Sequence, residues 1–106
     1  MPESCSSSPE SGLVRVQIYG LLRLMLGWRE ALELPWQEGE TVRTLLDKFQ
    51  AALPIPVNHK LVDAEGGILV GTIILLNRKN VLHLEGLETV VHKGDVLALF
   101  PPGAGG

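Results

Sequence analysis

The chain is poor in the features that define several classes of protein. Cys5 is the single cysteine among 106 residues, so no internal disulfide can form, as is typical of proteins in a reducing compartment. No apolar run reaches the roughly 18 residues that a membrane-spanning helix needs. The polar segment at residues 1–12 also lacks the basic and apolar regions of a secretory signal. These absences predict a cytoplasmic protein.

Strong charge, metal-ligand motifs and phosphate-binding loops are also absent. The net charge of −3 is mild, and it provides no basic surface for nucleic acid or for anionic lipid. The histidines His59, His83 and His92 share no ligand spacing with one another or with Cys5, so no bound metal is predicted. No segment has the spacing and the lysine of a GxxxxGK[ST] loop. Any ATP chemistry would therefore belong to a partner protein.

Composition predicts one folded domain between two tails. Hydrophobic residues make up 45% of the chain and charged residues 20%, at a length that suits a single core. Residues 1–12 are rich in Ser, Pro and Glu, and they cannot bury enough apolar area to offset the entropy of ordering them. We predict a disordered tail at 1–12, a folded domain at 13–100 and a flexible tail at 101–106.

Two alternating segments in the first half predict strands with one buried face. The apolar side chains that alternate are Val14, Val16 and Ile18 in the first segment, and Leu32, Leu34 and Trp36 in the second. Pro35 cannot donate a ladder hydrogen bond, so the second strand is predicted to lie at an edge of the sheet. The apolar segment between them, which Gly20 and Gly27 bracket, is expected to wrap around one end of the core.

A three- and four-residue spacing follows and predicts one amphipathic helix. Its apolar face consists of Val42, Leu45, Leu46, Phe49 and Leu53. Thr41 is the expected N-cap, and Pro54 and Pro56 prevent the helix from continuing.

The second half predicts three more strands. Residues 72–77 contain the continuous apolar run 73–76, typical of a strand covered on both faces. Residues 81–86 and 96–100 are the other two predicted strands. The resulting order is strand, strand, helix, strand, strand, strand. It predicts an α+β fold in two layers, with a mixed sheet of about five strands and one main helix on one face. The first and last strands can lie side by side, since a long crossover separates them.

The last stretch, ALFPPGAGG, has an unusual composition. No charged or hydrogen-bonding side chain follows Asp95, and the sequence ends on the carboxylate of Gly106. Pro101 and Pro102 favour an extended backbone at the base of this segment. From residue 101 to residue 106 the chain extends to about 20 Å, so the segment can carry its carboxylate deep into a neighbouring protein.

The segment GDVLALFPPGAGG resembles the ending of the MoaD family, the small subunit of molybdopterin synthase. The order of elements is similar to that of the ubiquitin-like β-grasp fold, which the MoaD and ThiS sulfur carriers share. The resemblance covers residues 13–106 and is most specific from Thr72 onward. Phe-Pro-Pro at the end of a strand, followed by two residues and Gly-Gly, is its most informative part.

The resemblance implies a function and a set of partners. Gly106 would be adenylated by an E1-like enzyme of the MoeB/ThiF type that uses ATP, and sulfur from a persulfide enzyme would convert it to a thiocarboxylate. A MoaE-type large subunit would then receive the sulfur for molybdopterin synthesis. The domain itself would bind no cofactor. The residues that would contact these partners are Phe100, Pro101, Pro102, Gly103, Ala104 and Gly105.

Two departures and several alternatives accompany this resemblance. The family usually has Asn-Gly where this chain has Asn77-Arg78, and Arg tolerates a positive φ poorly, so we expect a turn wider than two residues. Gly103 stands where the family often has Val, which predicts a looser tail. Alternative functions are a ThiS-like carrier for thiamine synthesis, a carrier for tungsten-pterin synthesis or tRNA thiolation, a modifier conjugated to lysines, and a noncovalent β-grasp module or enzyme whose tail is incidental.

Overall fold

The computed structural model describes residues 11–102. These residues fold into a mixed sheet with one main helix on one face. In chain order the elements are β1 (Ser11–Ile18), α1 (Gly20–Met25), β2 (Ala31–Gln37), α2 (Val42–Ala51), β3 (Ile73–Leu76), β4 (Lys79–Asn80) and β5 (Val96–Phe100). The strands lie in the order β2-β1-β5-β3-β4. Short 3-10 helices cover Asn58–Lys60, Val81–His83 and Gly86–Glu88.

The first and last strands lie side by side in the middle of this sheet. β1 pairs in parallel with β5, with Val16 opposite Leu97, and it pairs antiparallel with β2 on its other side. β5 in turn pairs antiparallel with β3. The predicted α+β plan, with adjacent parallel first and last strands, is confirmed. Because β5 has a hydrogen-bonded neighbour on each side, it gives the residues that follow it a fixed base.

The strand β2 lies at an edge of the sheet, as Pro35 predicted. Pro35 is exposed and stands opposite Leu13 of β1, while Leu34 and Trp36 of β2 are buried against the core. β1 begins at Ser11, two residues before the predicted start of the folded domain. Residues 1–10, with Cys5 among them, lie outside the described part of the chain.

The helix α2 has the predicted apolar face except for Leu53, which lies beyond its last residue, Ala51, and is half-buried. Its buried residues are Val42, Leu45, Leu46 and Phe49. The hydroxyl of Thr41 accepts a hydrogen bond from the backbone N–H of Thr44, and the Thr44 hydroxyl accepts one from the N–H of Thr41, so the first turn is capped on both sides. Within residues 11–102, no helix combines the length and the apolar character that crossing a bilayer would require.

The core lies between α2 and the facing side of the sheet. Five core residues from β1 and β5 have no solvent-exposed area: Val14, Val16, Ile18, Leu97 and Leu99. Burial of each such side chain contributes about 1.5–3 kcal/mol. The Trp36 side chain joins this core, and its indole N–H donates a 2.7 Å hydrogen bond to the carbonyl oxygen of Val91. This bond ties the edge strand β2 to the loop before β5.

The segment between β1 and β2 wraps around one end of the core, as expected. It does so as the short helix α1, which buries Leu22.

Residues 81–86 were predicted to form a strand, and this prediction is wrong. Only Lys79–Asn80 pairs with β3, and Val81–His83 forms a 3-10 helix. The Asn80 side chain accepts a hydrogen bond from the N–H of Leu82 and begins that turn. This local bond removes the backbone from the sheet although the composition of residues 81–86 is that of a strand.

The strand β3 was predicted to be covered on both faces, and this prediction is also wrong. Ile74 and Leu76 are buried, but Ile73 is 45% exposed and Leu75 is only half-buried. Their side chains alternate across the sheet, and α2 covers one face alone. Apolar side chains therefore remain open on the other face, which we call the outer face.

A buried ion pair connects α2 to the edge strand. The carboxylate of Glu40 is buried and accepts hydrogen bonds from Lys48 and from the Thr44 hydroxyl. Lys48 also donates to the carbonyl oxygen of Pro35 at 3.0 Å. Burial alone would raise the pKa of Glu40, but these two hydrogen bonds and the Lys48 charge outweigh it and hold the pKa below its ordinary value of 4.5.

This ion pair predicts a pH dependence of stability. Because the pKa of Glu40 is lower in the folded protein, the unfolded chain binds more protons, so stability falls as pH drops below 4.5. We expect Glu40→Gln to lower the free energy of unfolding at neutral pH by about 1 kcal/mol and to flatten its decline in acid. Urea unfolding from neutral pH to about pH 3 measures both effects. Glu38→Gln, at an exposed neighbour, is the control, and equal curves for the two variants would contradict the prediction.

Candidate functional site

A groove of about 550 Å³ crosses the outer face of the sheet. It is formed by side chains of β1, β3 and β5 that alternate with the core residues, and by the turn after β3. Its lining residues are Gln17, Tyr19, Leu75, Asn77, Arg78, Val96, Ala98 and Phe100. None of these residues is acidic and Arg78 is basic, so the groove carries a positive charge. The whole chain, by contrast, has a net charge of −3. Such a groove suits an apolar surface that carries a carboxylate.

An aromatic stack closes the end of the groove where β5 ends. Tyr19, which follows β1, and Phe100, the last residue of β5, lie with ring centroids 4.4 Å apart and planes within 6°. The guanidinium of Arg23 lies 5.2 Å from the centre of the Tyr19 ring, and its Nε donates to the carbonyl oxygen of Ile18. The N–H of Tyr19 also donates to the carbonyl oxygen of Leu99. These contacts fix the position of Phe100 next to the groove.

The chain leaves the sheet directly after this stack. Pro101 is buried and Pro102 is half-buried, so the first proline anchors the segment and the second is open to contact. Gly103, Ala104, Gly105 and Gly106, which the sequence analysis assigned to partner contact and catalysis, lie outside the described residues. Of the predicted site residues that the structure describes, Phe100 alone lines the outer-face groove, and Pro101 and Pro102 follow it directly in the chain.

The turn between β3 and β4 closes the other side of the groove. Leu76 pairs with Lys79, so the connection has two residues, Asn77 and Arg78, with φ of 52° and 75°. The prediction of a wider turn is therefore wrong. The Asn77 amide donates to Asp95 and accepts from the N–H of Val96, both at 2.9 Å. These bonds attach the turn to the start of β5 and hold the left-handed backbone in place.

The position of Arg78 predicts a gain in stability when it is replaced. At φ of 75° an arginine is strained where a glycine is not, so we expect Arg78→Gly to raise the free energy of unfolding by about 0.5–1 kcal/mol. Lys79→Gly, in the adjacent strand position outside the left-handed region, should lower it. Urea unfolding of the two variants measures both effects. Loss of stability in Arg78→Gly would contradict the strain.

Sequence reasoning did not identify most of the groove. It selected Phe100 from the ending of the chain but omitted Gln17, Tyr19, Leu75 and Arg78. The alternation along β1 assigns Gln17 and Tyr19 to the polar side of that strand, and this was the available signal. The omission arose because the groove depends on three strands that come together only through their register.

The fold and the site define a class of protein: a ubiquitin-like β-grasp domain whose central last strand ends beside an apolar groove. Comparison with known families gives the same result, since the family model described as ThiS matches residues 16–106. The chain belongs to the ThiS family of ubiquitin-like sulfur carriers and modifiers.

One curated relative and two solved structures show the range of this similarity. Small archaeal modifier protein 3 of Haloferax volcanii is 46% identical over 33 residues, which are 31% of this chain and 36% of that protein. The match thus spans about a third of the relative's length.

The solved structures match over nearly their whole length. CysO, in the Amycolatopsis orientalis BexX/CysO complex, is 29% identical with a TM-score of 0.73, over 88% of this chain and 99% of that chain. SAMP1 from Haloferax volcanii is 24% identical with a TM-score of 0.75, over 90% of this chain and 100% of that chain. The second similarity concerns the fold alone, and it confirms the predicted ubiquitin-like β-grasp.

Proposed function

We propose that this chain is a sulfur carrier that acts as a covalent co-substrate. An E1-like adenylyltransferase of the MoeB/ThiF type would activate the Gly106 carboxylate with ATP, and a persulfide enzyme would supply the sulfur. The course of β5 supports this proposal most: the strand lies at the centre of the sheet, ends at Phe100 beside the groove, and continues through two prolines into the Gly-rich residues 103–106.

The chemistry explains why the end of the chain has this composition. A carboxylate is a poor acyl donor, so its oxygen must first attack the α-phosphate of ATP, which releases pyrophosphate and forms an acyl adenylate. A persulfide sulfur then displaces AMP, and a second thiol cleaves the S–S bond to leave the thiocarboxylate and a disulfide. Residues 103–106 have no side chain larger than a methyl group, so they suit a narrow channel that leads to such an active site.

The groove on the outer face is the proposed docking surface for these partners. Its aromatic and aliphatic floor provides apolar area close to Pro102, and Arg78 provides a charge that no carboxylate of residues 11–102 neutralises. A partner with an acidic side chain among apolar ones complements it. Since one groove serves the activating enzyme and the sulfur acceptor, the two partners would bind in turn.

The proposed sulfur acceptor is a pterin precursor of the molybdenum or tungsten cofactor, held by a MoaE-type large subunit in the cytoplasm. The Phe100–Pro101–Pro102 ending supports this choice, because it is the part of the chain that most resembles MoaD. A second candidate, conjugation of Gly106 to lysine amines, is favoured by the local similarity to a small archaeal modifier protein. A third candidate function is delivery of sulfur for thiamine synthesis, as in ThiS proteins.

One experiment separates these functions. The chain is incubated with an E1-like adenylyltransferase, MgATP and a persulfide donor, and its intact mass is measured. Replacement of one oxygen by sulfur would support the carrier, whereas an isopeptide bond to lysine would support the modifier. An unchanged mass with active partner enzymes would contradict both. Adding a MoaE-type subunit with a pterin precursor, or a thiazole-forming enzyme, then shows which acceptor removes the sulfur.

A further inference from the structure

Two turns from distant parts of the sequence lie beside the prolines that follow β5. At Gly20, which begins α1, an added Cβ would lie 3.6 Å from Cδ of Pro101, an ordinary contact distance. At Gly71, in the connection before β3, an added Cβ would lie 3.3 Å from Cβ of Pro102, closer than side chains normally approach. A side chain at position 71 would therefore require Pro102 to shift by a few tenths of an ångström.

The turn that contains Gly71 is well anchored. The backbone N–H of Thr72 donates a 2.9 Å hydrogen bond to the carbonyl oxygen of Leu69. The N–H of Leu69 in turn donates a 2.9 Å hydrogen bond to the carbonyl oxygen of Leu61. Gly71 has φ of +92°, as the third residue of a type II turn requires. Thr72 and Leu61 are buried. The turn is thus held in place beside Pro102, whereas its own Val70 is 91% exposed.

We propose that Gly71 is a positioning residue: by supporting Pro102 it sets the direction in which residues 103–106 leave the domain. This inference rests on the proposed sulfur-carrier function. A fixed direction at the base lowers the entropy lost when the segment enters a partner's active site. The groove determines how tightly a partner binds, while the support at Pro102 determines how often the carboxylate reaches the nucleotide.

The inference predicts that binding and reaction separate in kinetic measurements. Gly71→Ala is compared with Gly39→Ala, because both glycines have φ of +92° and a Cβ at Gly39 has no neighbour within 4 Å. Both variants place an alanine at the same positive φ, but only Gly71→Ala brings a Cβ to within 3.3 Å of Pro102. Adenylation by the E1-like enzyme with MgATP is measured as the release of pyrophosphate. We expect kcat for this reaction to fall about 5- to 10-fold in Gly71→Ala. KM should stay within about twofold, and Gly39→Ala should change neither constant.

A second readout needs no partner enzyme. The backbone amide NMR shifts of residues 103–106 should change in Gly71→Ala and stay unchanged in Gly39→Ala. Gly71→Asn adds the same Cβ with less backbone strain, and it replaces Gly71→Ala if that variant does not fold. Equal kcat values and equal amide shifts in the Gly71 and Gly39 variants would overturn the inference. Failure of the wild-type chain to be adenylated would instead overturn the proposed function, and the NMR comparison would still test the support at Pro102.

Discussion

Addition of one tryptophan after Gly106 is expected to reduce sulfur loading by more than about 100-fold. The acyl group that reacts would then belong to a bulky residue, and the small residues before it would no longer bring a carboxylate to the α-phosphate of ATP. The free energy of unfolding should not change, because the addition lies beyond β5 and the core. Intact mass after incubation with the E1-like enzyme, MgATP and a persulfide donor measures the loading.

The control for this variant carries the same tryptophan at the amino end, before Met1. It has the same composition and should load sulfur as the wild type does. All proteases must be absent, since trimming of the added residue would restore Gly106 as the last residue. Normal sulfur loading of the untrimmed variant would refute the assignment of Gly106 as the carrier residue.

Replacement of Phe100 by alanine is expected to weaken docking. Phe100 lines the groove and stacks on Tyr19 at 4.4 Å, and aromatic side chains in such positions provide much of the affinity of an interface. We expect KM for the activating enzyme to rise about 10- to 30-fold, with kcat nearly unchanged. Loss of the stacked pair should lower the free energy of unfolding by about 1 kcal/mol.

Leu82→Ala is the matched control for this prediction. Leu82 is apolar and 60% exposed, but it does not line the groove. Its replacement also removes an exposed apolar side chain, so a general loss of surface hydrophobicity would affect both variants. Equal KM values for Phe100→Ala and Leu82→Ala would show that the activating enzyme binds elsewhere.

The fold was largely predictable because its strong elements follow simple periods. Val14, Val16 and Ile18 have the two-residue spacing of a strand with one buried face, and Phe49 belongs to a regular helical face. One error falls where a local hydrogen bond overrides that pattern. The side chain of Asn80 turns residues 81–83 into a 3-10 helix, although their composition is that of a strand.

The candidate site was predictable only in part, for a physical reason. The ending from Phe100 to Gly106 is contiguous, so its composition and its resemblance to the MoaD ending are visible in the sequence. The groove is different, because Tyr19, Arg78 and Phe100 become neighbours only through the pairing of β1 with β5 and β5 with β3. The two-residue turn at Arg78 depends on bonds from Asn77 to Asp95 and Val96, 18 and 19 residues away.

The parallel pairing of β1 with β5 also has a practical consequence. Parallel strands run in the same direction, so the start of β1 and the end of β5 lie at opposite poles of the sheet, and the eight residues of β1 span about 26 Å. A bead joined to the chain directly before Ser11 would therefore stand about that far from the end of β5. Immobilised in this way, the protein would leave the end of β5 open to partners captured from solution.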